Sequence, residues 1–303
     1  MGKRAATFTS ESRGRPIRFR PATVVSAQNF AVLPTVRTAL IRQQGQMPLK
    51  LIRSDLQMWV RLGKAPLTML LIADVSASTY HFLEPAARII SILYRDAYRN
   101  RDTLGLIAIQ KNSVHVINHP SRNLKRVLGN LTRLSPSGNT PLAEALEKAL
   151  EVFKQVRQRQ PFYNPVAILL SDCHPEPLTA TYKNLFEEPA YQKAIQQAKL
   201  FRKNKIPIIV INPAHGRFSE HKGGELWWGT QLGIKIAQIS GGKYHGIPHG
   251  HYEAALKGFD SETHKQVLWK ENLMKRYIEQ DSQHVGNMLL DYRDRPVDSF
   301  TGR

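Results

Sequence analysis

The chain has 303 residues, 43 Lys and Arg against 24 Asp and Glu, a net charge of +19 and a single cysteine. That length suits one or two domains with a buried core. Cys173 alone excludes an internal disulfide and a cysteine-based zinc cluster, and no apolar run reaches the roughly 18 residues of a membrane span or forms the core of a signal peptide. A cytoplasmic protein is the expectation.

Residues 1–66 form a basic arm, with twelve Lys and Arg against Glu11 and Asp55. Such an arm attracts polyanions, and an acidic protein partner is favoured over nucleic acid because no groove-reading or base-stacking motif accompanies the charge. Residues 1–20 carry few large apolar groups and are expected to stay flexible unless a partner orders them. Residues 27–44 have helical apolar spacing (Phe30, Leu33, Val36, Leu40), with Pro34 arguing for a late start. Residues 54–62 read as a short helix or strand, and the arm is expected to pack on the following domain as an elaboration of it.

The organising stretch is 67–79, LTMLLIADVSAST, an unbroken apolar run that ends on Asp74-x-Ser76-x-Ser78. A run of this kind before a helical pattern reads as a strand buried on both faces of a parallel sheet. Its carboxyl end is where open α/β sheets bind ligands. A helix is expected over 81–98, two short antiparallel strands over 104–109 and 114–117 around the turn 110–113, and helices over 124–131 and 141–156. Before the last of these, Ser137-Gly138-Asn139-Thr140-Pro141 delivers a hydroxyl to the helix start. Residues 166–171 form a second central strand ending on Asp172. A helix at 191–203, a strand at 206–211, a helix at 233–239 and a strand at 243–246 complete the alternation, and 261–290 reads as an amphipathic helix. The fold expected is α/β, a doubly wound, mostly parallel, Rossmann-like sheet of about six strands with helices on both faces, a basic N-terminal arm and a C-terminal helix. The divisions are 1–66, 67–258 and 259–303.

Asp74, Ser76, Ser78, Thr140 and Asp172 are all oxygen donors, the type that suits a hard cation such as Mg²⁺. Alone, Asp-x-Ser-x-Ser is equally a helix cap. As a set, these residues resemble the metal-ion-dependent adhesion site of von Willebrand factor A domains. The segment 98–150, with 12–19 (SRGRPIRF), 35–44 (TVRTALIRQQ) and 51–66 (LIRSDLQMWVRLGKAP), is similar to the C-terminal integrin-like domain of the D-type subunit of magnesium chelatase and its cobaltochelatase relatives, over roughly residues 10–258.

The resemblance implies that Ser76, Ser78 and Thr140 ligate Mg²⁺ directly while Asp74 and Asp172 act mostly through water. It also implies a non-catalytic subunit that couples an AAA+ ATPase to a large client whose acidic side chain completes the coordination. The specific version is metal insertion into a tetrapyrrole; a general ATPase adaptor for maturation of another metalloenzyme fits the same residues. No phosphate loop is present, since Gly241-Gly242-Lys243 is followed by Tyr244, so ATP-driven work is expected from a partner in trans.

One departure from the family stands out in the loop after Asp172. Cys173 and His174 follow Asp172 where the family usually has Gly; they could favour a softer metal such as Zn²⁺, but a small buried Cys and a loop His are the favoured reading. The 219–229 insertion brings Trp227 and Trp228, a contact surface or simple packing over the sheet. His245, His249 and His251, separated by Gly and Pro, read as a loop more than a metal site. Rival readings are a metal hydrolase using Asp74, Asp172 and His174, and a nucleic-acid binder acting through the arm.

Overall fold

A computed structural model describes residues 7–9, 15–22, 30–63, 66–75, 88–89, 101–134, 138–159, 163–179, 184–215, 227–248 and 264–293. The chain divides into two compact units, one of residues 1–65, 160–164 and 293–303, the other of 66–159 and 165–292.

In the first unit, strands β1 (Thr7–Thr9) and β2 (Arg15–Pro21) flank β3 (Gln57–Gly63) in an antiparallel sheet of order β1-β3-β2. Residues 7–9 and 15–21 thus pair with strand 57–63, where the sequence suggests a flexible segment. The pairing supplies the order that the segment's few apolar groups cannot. Phe19 meets Trp59 edge to face at 6.4 Å. Helix α1 (Val32–Arg42) starts later than its apolar spacing suggests, which puts Pro34 in the first turn, where its missing N–H is not needed. Thr35 and Asp55 fasten the helix to the chain that follows. Thr35 Oγ1 accepts the Gln57 N–H at 2.9 Å, and Arg42 donates twice to Asp55, 2.9 Å to each oxygen. A 3₁₀ turn at Arg53–Asp55 precedes β3, so the 54–62 segment is chiefly strand.

In the second unit, β4 (Leu67–Asp74), β5 (Thr103–Gln110), β6 (Ser113–Ser121), β7 (Asn164–Leu170), β8 (Ile208–His215) and β9 (Lys243–Pro248) form one sheet of order β6-β5-β4-β7-β8-β9. β4 and β5 are parallel, as are β7, β8 and β9, while β6 is antiparallel to β5. All eight residues of β4 are buried, which explains why, apart from Thr68 and the terminal Asp74, they are apolar. The β5–β6 hairpin closes through Lys111 and Asn112, both at positive φ (52° and 60°), the backbone that a two-residue turn between twisted strands requires.

Helices cover both faces. On one, Leu71, Leu106, Ile168 and Ile209 pack beneath α2 (Leu124–Leu131), which contributes Val127, and a long C-terminal helix that contributes Val285 and Tyr292. On the other, α3 (Leu142–Arg159), α4 (Pro189–Lys203) and α5 (Trp228–Ser240) lie side by side, with Gly233 of α5 close to Val210 of β8. The C-terminal helix, α6 (His264–Arg293), is also tied by polar contacts: Lys243 pairs with Asp291, and Tyr292 Oη donates to the Gly241 carbonyl at 3.5 Å. The chain passes from β4 to β5 on one side and returns to β7 on the other, so the topology reverses between β4 and β7. In such sheets the crevice at that reversal is where ligands bind. The helix expected over 81–98 lies almost wholly outside the described residues.

Candidate functional site

Asp74, the last residue of β4, is fully buried at this reversal. Burying a carboxylate is costly unless donors surround it. Thr140 Oγ1 lies 3.3 Å from both Asp74 oxygens, and Ser171 Oγ donates to Asp74 Oδ2 at 2.7 Å. These contacts place the ends of β4 and β7 at the same sheet edge. They also fix the hydroxyl protons, because an ionised carboxylate only accepts. With its proton turned toward Asp74, Thr140 keeps its lone pairs for a donor-poor neighbour such as a cation.

Thr140 is presented by a tight turn. Gly138 adopts φ +83°, where a Cβ would sit 2.4 Å from Asn112 Oδ1, and Asn112 Oδ1 in turn accepts the Asn139 N–H. The Thr140 carbonyl accepts the Leu142 and Glu176 N–H groups at 2.7 and 3.0 Å, which joins the start of α3 to the loop after β7.

That second loop is built from Ser171, Asp172, Cys173 and His174. Ser171 Oγ also accepts the Cys173 N–H at 2.9 Å, and Asp172 Oδ1 accepts the His174 N–H at 3.1 Å. Cys173 has φ +59°, an uncommon backbone for a residue with a side chain. Its buried thiol contacts the Ser171 carbonyl at 3.6 Å. Burial, then the Asp172 and Asp74 carboxylates, push the thiol well above its ordinary pKa. His174 Nδ1 lies 2.8 Å from Tyr191 Oη, and its ring faces Trp227 at 5.1 Å. Burial, with Asp172 next in size, raises the Tyr191 pKa, so the phenol stays protonated. The Cys173 thiol is thus engaged by the Ser171 carbonyl, and the His174 ring by Tyr191 and Trp227.

Of the five residues singled out from the sequence, Asp74 and Thr140 are in direct contact, and Asp172 lies between Ser171 and Cys173, whose side chain and N–H are hydrogen-bonded to each other; Ser76 and Ser78 lie outside the described residues. The donors present are oxygens of the kind a hard cation takes. Among the described residues, no group of three or more His, Cys, Asp and Glu is arranged to hold a metal ion. Ser171 is the contributor that the motif reading missed. A lone hydroxyl closing the buried run 166–170 was its sequence signal, since a buried hydroxyl needs a partner.

The remaining candidates fall elsewhere. His245 belongs to β9 and not to a loop: Nε2 pairs with Asp281 Oδ1 of α6 at 2.8 Å, and its ring stacks on His284 at 4.6 Å. His249 and His251 are outside the described residues. Trp227 packs toward His174, and Trp228 meets Phe186 at 5.6 Å. Among the described residues no helix is long and apolar enough to cross a membrane.

Comparison with known proteins agrees with this architecture. The von Willebrand factor type A domain family matches residues 69–174. The 60 kDa magnesium-chelatase subunit of Rhodobacter capsulatus is 27% identical over 212 residues, 67% of this chain and 37% of that protein, so the chain spans under half the length of this relative. An uncharacterized protein of Methanocaldococcus jannaschii is 33% identical over 167 residues, covering 54% of this chain and 86% of its own length. Among solved structures, the VWA domain of SpRpn10 aligns over 61% of this chain and 88% of its own, at 18% identity and a TM-score of 0.43. Residues 69–174 belong to the von Willebrand factor type A domain family, and the chain is related to magnesium-chelatase subunits at low identity.

Proposed function

We propose that this chain is a divalent-cation-dependent protein-interaction subunit that couples a separate AAA+ ATPase to a client protein, as a chelatase D-type subunit would. The observation that carries the reading is the buried Asp74 carboxylate holding the Thr140 and Ser171 hydroxyls at the sheet's topological reversal. Asp74, Ser76, Ser78, Thr140 and Asp172 would hold Mg²⁺, and the ion when bound supplies a coordination position for a partner's carboxylate. Asp74 keeps the hydroxyl donors oriented, and the turn at Gly138 and the strained loop at Cys173 fix where Thr140 and Asp172 stand. The kinship with magnesium-chelatase subunits supports the ATPase coupling, and metal insertion into a tetrapyrrole is the specific form of it.

The test is paired. Titration of the purified chain with Mn²⁺, followed by electron paramagnetic resonance, should show a site that Mg²⁺ competes for and that Asp74→Asn lacks. An AAA+ ATPase from the source organism should be retained by wild type with Mg²⁺ and lost with EDTA or in Asp74→Asn. Retention indifferent to both cation and Asp74 would sink the reading.

A further inference from the structure

Helix α1 is built the reverse of an ordinary surface helix. Its inward side carries Pro34, Thr35 and Ala39, all buried. At 3.6 residues per turn, Leu33, Val36, Arg37, Leu40 and Ile41 fall on the opposite half. Leu33 is 79% exposed and Ile41 68% exposed, and Val32 at the helix start is 56% exposed. Small groups therefore hold the helix in place while large aliphatic ones face water. At the helix's C-terminal end, Arg42 Nη2 donates to the Lys50 carbonyl at 2.6 Å, and the Lys50 N–H donates to Gln43 Oε1. These bonds hold the 47–52 segment there, with Met47, Leu51 and Ile52 exposed as well. Of ten exposed large hydrophobics among the described residues, seven lie between Phe19 and Ile52. Scattered exposed leucines need no explanation, but a concentration in so short a stretch marks a contact surface.

The charge at this surface selects the occupant. Asp55, the only carboxylate in residues 15–63, is consumed by Arg42. Arg37 sits among the aliphatic side chains, and Lys50 and Arg53 lie toward the helix end, none with an acidic partner among the described residues. Two copies of this face set against each other would bring the same cations together. We propose that the outward face of α1 docks an acidic amphipathic segment of a partner protein, whose apolar side covers Leu33 and Ile41 and whose carboxylates meet Arg37, Lys50 and Arg53. This contact needs no cation and is independent of the Asp74 site.

The probe is a fluorescein-labelled amphipathic helical peptide of leucine, alanine and glutamate, compared by fluorescence anisotropy with its lysine-for-glutamate counterpart on the full chain. The glutamate peptide should bind at least about tenfold tighter than the lysine peptide, and Leu33→Ser/Ile41→Ser and Arg37→Glu should each weaken it by about tenfold. EDTA and Asp74→Asn should leave it unchanged, which separates this surface from the cation site. The thermal midpoint of Leu33→Ser/Ile41→Ser should match wild type, as it must for side chains facing water. Equal binding of both peptides, binding unaffected by the substitutions, a large fall in thermal midpoint, or a wild-type dimer dissolved by Leu33→Ser/Ile41→Ser would each overturn the proposal.

Discussion

Ser171→Ala removes a hydroxyl that serves two partners in the dry floor of the site. Ser171 Oγ donates to Asp74 Oδ2 at 2.7 Å and accepts the Cys173 N–H at 2.9 Å, and the residue is 0% exposed. A hydrogen bond to a charged group contributes about 1.5–3 kcal/mol, and a buried N–H left unpaired costs about 1–3 kcal/mol. The two losses share one atom and are not fully additive, and relaxation of the 171–174 loop recovers some of the second. The expected destabilisation is about 3 kcal/mol, since alanine is smaller and adds no clash. For a unit of this size that is a fall of roughly 6–12 °C in thermal midpoint. Urea unfolding followed by circular dichroism reads the free energy, with Ser113→Ala, half-buried at the start of β6, as the reference. A Ser171→Ala loss below about 1 kcal/mol would refute the claim that this hydroxyl is what makes the buried carboxylate tolerable.

Other substitutions probe how the site is held. Gly138→Ala combines a left-handed backbone, worth roughly 1–2 kcal/mol, with a Cβ only 2.4 Å from Asn112 Oδ1; calorimetry should show a loss at or above that range, with weaker Mn²⁺ binding because Thr140 moves. Gly229→Ala places a Cβ 2.5 Å from the Asp172 carbonyl and should weaken Mn²⁺ binding more than it lowers stability in urea. His215 sits beside Tyr244 Oη at 3.1 Å, and burial, then the neighbouring His245, hold its pKa below the ordinary 6.5. The unfolded chain then binds the proton more readily, so His215 makes stability fall as pH drops through 6.5 toward its folded value. Urea midpoints at pH 7.5 and 5.5 should differ less in His215→Asn than in wild type.

The parts of the fold legible in the sequence were those set by local composition. The run 67–73 is apolar but for Thr68 because both faces of β4 are covered, and the 110–113 turn announced the hairpin because Asn112 accepts the left-handed backbone readily. The sheet of the first unit was not legible. Arg15–Pro21 alternates cations with Pro, Ile and Phe, a composition that reads as polar, and its order comes from pairing with Gln57–Gly63 some way along the chain. The site was legible in its oxygen donors but not in its support. Asp74 and Thr140 carry recognisable motifs, whereas Ser171 looks like the end of a strand. Tyr191, which positions His174, sits on a separate helix and acts only through the tertiary fold.

The placement of Asp74 explains why strain gathers in the loop next to it. A carboxylate at the buried end of a central strand can be satisfied only by donors brought in from other elements, and β7 is the neighbour available at the reversal. Ser171 reaches it as a direct continuation of β7. The backbone must then turn sharply so that the Cys173 N–H returns to Ser171 Oγ, and the φ of +59° at Cys173 is the geometry of that return. Glycine would adopt it without cost, but glycine lacks the thiol that packs against the Ser171 carbonyl and lies near Gly233 of α5, where a Cβ would stand 3.1 Å from Sγ. The loop is thus held from below by the helix layer and from the side by the carboxylate. Asp172, between the two, keeps its position without a dedicated strand to fix it, its Oδ1 accepting the His174 N–H, so that under the proposed function a cation would meet donors already in place.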